Sequence, residues 1–381
     1  MKNTSPTPLL WPGRVLILLF GLFLALPLLD MLFNLNPDTF LFENRPLAGP
    51  PEPPRHADEI GKYFSGIEAW FNDHFGWRTS LVRWHDNITV KLFKEGNHGV
   101  IVGNNGWIYY SDLQMVDHFR SDAQFTDAEL RDWQTLLEHR RDWLARRGIK
   151  FLFVLAPDKH TIYPEYLPAW LKKTDRPTKA DQLFAYMQDH STVNMLDLRP
   201  VLLAAKKSAA LYQQTDTHWN KLGSFVAYQA VVNDLTNIGF PQLKPLNLDS
   251  FHITHRVTGG CDLSMTLGVF MTDSNEFYFH PTPGLPPLET VYLSKILDIG
   301  ATNCTRCATA QKTAMIYHDS FGEFWVQFLG YQFREADYTW QPQLDLAAIE
   351  RKHPDIVIAE MLERFVNTRD PKKILSEDAL P

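Results

Sequence analysis

From Val15 to Leu29 the chain is without a charged or strongly polar residue, and after Asp30 the apolar run resumes through Met31-Leu32-Phe33. That span of about nineteen residues approaches the roughly 20 that a helix needs to cross a bilayer. Lys2 and Arg14 precede it and no basic residue follows directly, which predicts the N-terminus inside and the body outside. A cleaved secretory signal is the competing reading. The run is longer than a usual signal core and no small-x-small site follows it, so residues 15–33 read as an uncleaved anchor and 1–14 as a cytoplasmic N-terminus. Pro27 and Asp30 weaken the span without excluding it.

The pattern then changes three times. Between Asn36 and His56 six prolines (Pro37, Pro46, Pro50, Pro51, Pro53 and Pro54) prevent a helix or a central strand, so 34–56 reads as an extended linker. Ile60 to Trp77 has apolar residues at three- and four-residue spacing, as in an amphipathic helix. It closes on Asp73-His74-Phe75-Gly76-Trp77-Arg78, a cluster that suits a buried hydrogen-bond knot. Gly99 to Tyr110 has Asn105-Gly106 between two apolar stretches, a hairpin signal.

Further on, helix-like and strand-like runs alternate. The helical runs are Asp127 to Arg147, Ala180 to His190, Pro200 to Lys207, Leu222 to Leu235, Gly322 to Leu329 and Leu344 to Lys352. The strand-like runs are Ile149 to Ala156, Val193 to Leu198, Ala210 to Gln213, Thr313 to His318 and Asp355 to Met361. Nearly continuous apolar strands are those covered on both faces, so the pattern predicts a doubly wound α/β sheet. Pro241 to Asn303 is irregular and reads as insertions over the sheet edge. The folded domain is expected over 57–370, with 371–381 as a tail.

Composition adds exclusions. A net charge of −7 without a basic run argues against nucleic acid. No glycine-rich phosphate loop is present, so no nucleotide cofactor is expected. Eleven Trp and twenty-five Phe suit a large core, with some aromatics left for stacking on sugars.

Ligands of doubly wound sheets sit at the carboxyl ends of the strands, where Asp158, Asp216, His218, Ser320 and Glu360 all fall. Ser320 follows a strand-like run and opens a helical one, where a hydroxyl can face a cleft and backbone N–H groups can meet an oxyanion. A helix N-cap would use the same residue. Asp216, two residues before His218, can hold one ring nitrogen and leave the other to act as base. The alternative is a capping aspartate with a surface histidine. Together the three have the composition of an acyl-transfer triad.

Six motifs occur in one order: Phe71 to Arg78, Val102 to Trp107, Ala156 to Lys159, Asp216 to Trp219, His318 to Gly322, and Glu360 to Arg364. This set, from about Glu43 to Val366, resembles the AlgX/AlgJ-type alginate O-acetyltransferases, which have an SGNH-hydrolase-like domain. The resemblance implies a permuted motif order, with the Asp-x-His pair ahead of the serine. It implies Ser320 as nucleophile, His218 as base and Asp216 as its orienter. It further implies acetyl transfer onto hydroxyls of an exported polysaccharide, with a membrane-bound O-acyltransferase as donor. The chain ends soon after Arg364, which looks closer to AlgJ-like members than to AlgX-like ones with their extra carbohydrate-binding module.

Lys159 and Arg364 are candidate contacts for a carboxylated sugar, or else members of an ion-pair network, and Trp219 is a third candidate substrate contact. Cys304, Cys307 and Cys261 fit no family position. In an oxidising compartment they suggest a structural disulfide, Cys304 with Cys307 or either with Cys261. Redox work and a zinc site with His252 and His255 fit less well, so no metal is expected. The whole reads as a membrane-anchored O-acetyltransferase on the periplasmic side of the inner membrane. A carbohydrate acetylesterase with the same triad and a non-catalytic scaffold of an export complex are the alternatives.

Overall fold

The computed structural model describes residues 11–33, 35, 47–97, 99–112, 114–259, 261–292 and 302–378. Residues 1–10 of the expected cytoplasmic segment, 34 and 36–46 of the expected linker and 379–381 of the expected tail lie outside them. The backbone forms two compact units, Met1–Gly96 with Met265–Phe270, and Asn97–Ser264 with Met271–Pro381.

The smaller unit contains helices α1 (Trp11–Phe33), α2 (Ile60–His74) and α3 (Arg78–Ile88), the last continued by a π-helical turn, Thr89–Phe93. Within α1, Gly13–Phe33 is long and apolar enough to cross a membrane. The helix predicted over Ile60 to Trp77 ends earlier, because Phe75 is extended and Trp77 is left-handed at φ 64°. Hydrogen bonds hold that corner. Asp30 accepts the Trp77 N–H at 2.8 Å, and Asp73 accepts that of Ala48 at 2.8 Å. The expected knot is therefore present. Neither α2 nor α3 holds a buried residue.

The larger unit begins with the predicted hairpin, β1 (Val100–Val102) and β2 (Ile108–Tyr110). Its centre is a seven-stranded sheet. In chain order it takes β3 (Lys150–Ala156), β4 (Met195–Asp197), β7 (Glu289–Tyr292), β8 (Thr302–Arg306), β9 (Thr313–His318), β10 (Glu335–Trp340) and β11 (Ile356–Leu362). Across the sheet the order is β4-β3-β11-β9-β10-β8-β7. The first five neighbours are parallel, and β8 and β7 add an antiparallel edge. Side chains alternate between the faces of a strand, and β3 shows the result. Leu152 and Val154 join a core with Trp219, Phe225 and Phe321, whereas Phe151, Phe153 and Leu155 join another with Trp133, Leu137 and Leu183. The sheet is thus buried on both sides, as the apolar runs require.

Four expectations are corrected. Ala210 to Gln213 is no sheet strand; it makes one bridge, Tyr212 to Trp219. Side chains take its backbone groups, the Leu211 N–H going to Tyr163 Oη and the Ala210 carbonyl to Asn220. Pro241 to Asn303 is more ordered than expected, holding the hairpin of β5 (Phe251–Gly259) and β6 (Thr272–Pro281) as well as β7. No disulfide forms, for all three cysteines are free thiols. Cys304 lies in β8, and extended chain turns positions three apart to opposite faces. Finally, the expected tail contains a docked helix, Pro371–Asp378.

Asp378 is the anchor of that helix. It receives Arg140 Nε at 2.6 Å and Nη2 at 2.7 Å, and both side chains are about fully buried. Removing one partner strands a buried charge. Asp378→Ala should lower unfolding free energy by about 3–5 kcal/mol, read from urea midpoints; an unchanged midpoint would refute the anchoring role.

Candidate active site

Ser320 stands just beyond β9, in a turn that leads to a short 3₁₀ helix, Gly322–Trp325. Asp319 makes the turn rigid. It accepts the Phe321 N–H at 3.0 Å through Oδ1 and the Leu362 N–H of β11 at 2.7 Å through Oδ2. Its own N–H donates to Glu360 at 2.9 Å. Burial, and then the charge of Asp319, push the Glu360 carboxyl well above the usual range. Glycine is needed at 322, since a Cβ there would lie 2.4 Å from the Cβ of His318.

Asp216 and His218 come from the irregular segment before the helix Lys221–Asn237, which Asn220 caps by accepting the Gly223 N–H at 2.9 Å. His218 Nδ1 lies 2.6 Å from Asp216 Oδ1, and Nε2 lies 2.8 Å from Ser320 Oγ. A carboxylate only accepts, so the proton sits on Nδ1 and Nε2 accepts from the serine hydroxyl. The structure therefore brings the three predicted residues into one line. Burial alone would raise the pKa of Asp216, but the charge and bonds of His218 pull it well below the carboxylate range. Burial opposes protonation of His218, but Asp216 and then Asp262 raise its pKa above the ordinary value.

Asp262 is a further member, one that sequence reasoning missed. Its Oδ1 accepts the Thr217 N–H at 2.7 Å, its N–H donates to Asp216 Oδ2 at 3.2 Å, and its Oδ2 lies 3.8 Å from His218 Nδ1. Burial, then the charge of Asp216, raise its carboxyl to about 6. It sits after an irregular stretch and has no motif of its own.

The three candidate substrate contacts are corrected. Lys159 is buried, its Nζ donating to the carbonyls of Gln213, Gln214 and Asp216 at 3.1, 3.1 and 2.6 Å. Arg364 is buried too, pairing with Asp158 at 2.7 Å and donating to Thr217 Oγ1 at 3.0 Å. Trp219 has no exposed surface, and its indole donates to the Phe321 carbonyl at 3.2 Å. All three support the loop from behind. Beside the site, though lined by none of Asp216, His218 and Ser320, is a cleft of about 450 Å³ bordered by Phe324, Lys221, Gln327 and Tyr331. Phe324 also stacks on the ring of His218, centroids 5.6 Å apart.

Among the described residues, two groups could offer a cation three ligand atoms each, Asp216 with His218 and Asp262, and Cys304 with Glu335 and Asp337. In the first, the ligand atoms already bond one another. In the second, Lys352 sits against both carboxylates.

Residues 100–267 match the SGNH hydrolase-like domain of the acetyltransferase AlgX. A probable alginate O-acetylase AlgJ from Pseudomonas syringae pv. tomato is 29% identical over 174 residues, 44% of this chain and 41% of that protein. Its counterpart in Pseudomonas putida is 31% identical over 177 residues, 45% of this chain and 43% of that one. The matched stretch thus spans about two fifths of these relatives' length. Among solved structures, Bacillus cereus PatB1 with a sulfonyl adduct superposes with a TM-score of 0.56 at 15% identity, covering 73% of this chain and 99% of that one. That likeness is one of fold. The sequence matches agree with the AlgX/AlgJ resemblance carried by the motifs.

Because the pKa of His218 is raised, its neutral, proton-accepting form is gained only as pH climbs past the ordinary 6.5. Asp262→Asn removes part of that raising influence. His218 should then titrate at lower pH in ring-proton NMR, and an unmoved titration would show that the Asp262 charge does not reach the ring.

Proposed function

Since this chain is related to the AlgX and AlgJ acetylases, we propose that it is an O-acetyltransferase that places acetyl groups on the hydroxyls of an exported polysaccharide. The observation that carries the reading is the unbroken line Asp216–His218–Ser320, with contacts of 2.6 and 2.8 Å. In the first half-reaction, Ser320 Oγ attacks the acetyl carbonyl of a donor ester while His218 Nε2 takes the hydroxyl proton. Asp216, at Nδ1, stabilises the imidazolium. The Phe321 N–H is committed to Asp319, so the Ser320 N–H is the main-chain donor assigned to the oxyanion. The leaving alcohol departs with the proton from His218, leaving acetyl-Ser320. In the second half-reaction a sugar hydroxyl gives its proton to His218 and attacks the acetyl carbon, which restores Ser320. The cleft at Phe324 suits the acceptor, being within the usual size of ligand sites.

In this reading Asp216 and His218, ahead of Ser320, are the permuted motif of an SGNH-like domain. The apolar helix α1 anchors the body on the periplasmic face of the inner membrane, and a membrane-bound O-acyltransferase supplies the acetyl group. A cleaved signal would leave the same enzyme soluble.

A slowly turned-over acetyl ester should add one acetyl mass to the intact protein, and Ser320→Ala should abolish it. A full adduct on Ser320→Ala would refute the acyl-serine. Adding an oligosaccharide acceptor should then divert acetyl from free acetate to sugar. Acetate alone, at every acceptor concentration, would point instead to an esterase.

A further inference from the structure

One side of α3 and its π-helical continuation is bare. Trp84, Ile88 and Leu92 are 65%, 53% and 72% exposed, and Phe93 is exposed beside them. Four-residue spacing puts the first three on one stripe of the helix, and a continuous exposed apolar strip marks a surface that meets something. Arg83, Lys91 and Lys94 occur in the same segment. Tryptophan with aliphatic neighbours and long basic side chains is the composition of a helix at a lipid–water boundary. The ring sits at headgroup depth and the basic stems reach the phosphates.

The root of α3 decides between a bilayer and some other cover. Asp30, three residues before the end of α1, accepts the N–H of Trp77, the residue that immediately precedes α3. Gly76 lies so close to α1 that a Cβ there would stand 2.1 Å from the Pro27 carbonyl oxygen and 2.6 Å from the Asp30 Cβ. At about 1.5 Å of rise per residue, both contacts fall within roughly the last 9 Å of α1. The same bond gives the carboxylate of Asp30 a donor where an apolar span would otherwise leave it costly. If α1 spans the membrane, α3 therefore starts at the depth where α1 leaves the hydrocarbon.

We propose that α3 is an interfacial helix, its Trp84-Ile88-Leu92 stripe seated in the body-side leaflet of the bilayer that α1 crosses, with the exposed Lys91 and Lys94 toward anionic headgroups. The inference rests on the reading of α1 as a span. It predicts that the smaller unit is held at the membrane surface by two elements, one crossing and one lying flat. The bilayer itself supplies the missing cover of the stripe.

The test uses the full-length chain reconstituted in vesicles of phosphatidylethanolamine and phosphatidylglycerol doped with a phospholipid that carries a diazirine in its acyl chain. After irradiation and digestion, lipid adducts should appear on peptides from α1 and on the peptide holding Trp84 to Lys94. Replacing Ile88 and Leu92 together by Lys should cut adducts on the second peptide by about tenfold and leave those on α1 unchanged. Unaltered helix content by circular dichroism would show that this variant keeps its fold. Adducts confined to α1 would overturn the inference while leaving the anchor intact. Adducts on neither peptide would overturn the anchor reading as well.

Discussion

The ammonium of Lys159, only 2% exposed, spends its bonds on the carbonyls of Gln213, Gln214 and Asp216, and the candidate site depends on that arrangement. Removing an ammonium from water costs several kcal/mol unless polar groups surround it. Here the compensation comes from the three carbonyls, with the charges of Asp262, Asp216 and Asp273 close by. Burial still draws the Lys159 pKa down to about 8. The loop that carries Asp216 has no sheet partner to shape it, so a side chain from the end of β3 does so. Arg364, from beyond the end of β11, does the same for Thr217. Two different strand ends thereby fix one loop.

This explains which parts of the molecule were legible in the sequence. β3, β9 and β11 read as strands because strands buried on both faces need continuous apolar runs, and helices with a single apolar face read from their spacing. Asp216 and His218 read as a pair from their two-residue spacing and Ser320 from its place beyond an apolar strand, although the loop that carries the pair follows no sheet strand. The strand β10 did not read as one, because Glu335 and Asp337 alternate with its buried Ala336 and Tyr338. Lys352 and Arg306 offset those acids from elsewhere in the chain, and such offsets cannot be seen locally. Ala210 to Gln213 misled for the opposite reason: its residues suit a strand, but its backbone bonds go to side chains and to the nearby 218–220 segment, not to the sheet.

Lys159, Arg364 and Trp219 teach a related lesson. Charge and ring are visible in a sequence, but whether they face water is settled by segments far away. Trp219 meets Phe321, 102 positions on, and Arg364 meets Thr217, 147 positions back. Residues of the types that bind sugars were therefore used as framing. Asp262 shows the converse, an ordinary residue in an irregular stretch that ends up 3.8 Å from the ring of His218.

The place of β11 has a bearing on how the protein is made. It is the last strand among the described residues, yet it lies inside the sheet between β3 and β9. Pairings this distant in sequence form late. A growing chain has synthesised Asp216, His218 and Ser320 well before Ile356 appears, but the strand that joins β3 to β9 is missing until then. We expect ribosome-tethered chains that stop short of Ile356 to remain protease-sensitive from Lys150 onward; protection at that stage would exclude the idea. The contacts that line up Asp216, His218 and Ser320, assembled on this plan, stay unformed for most of the chain's synthesis.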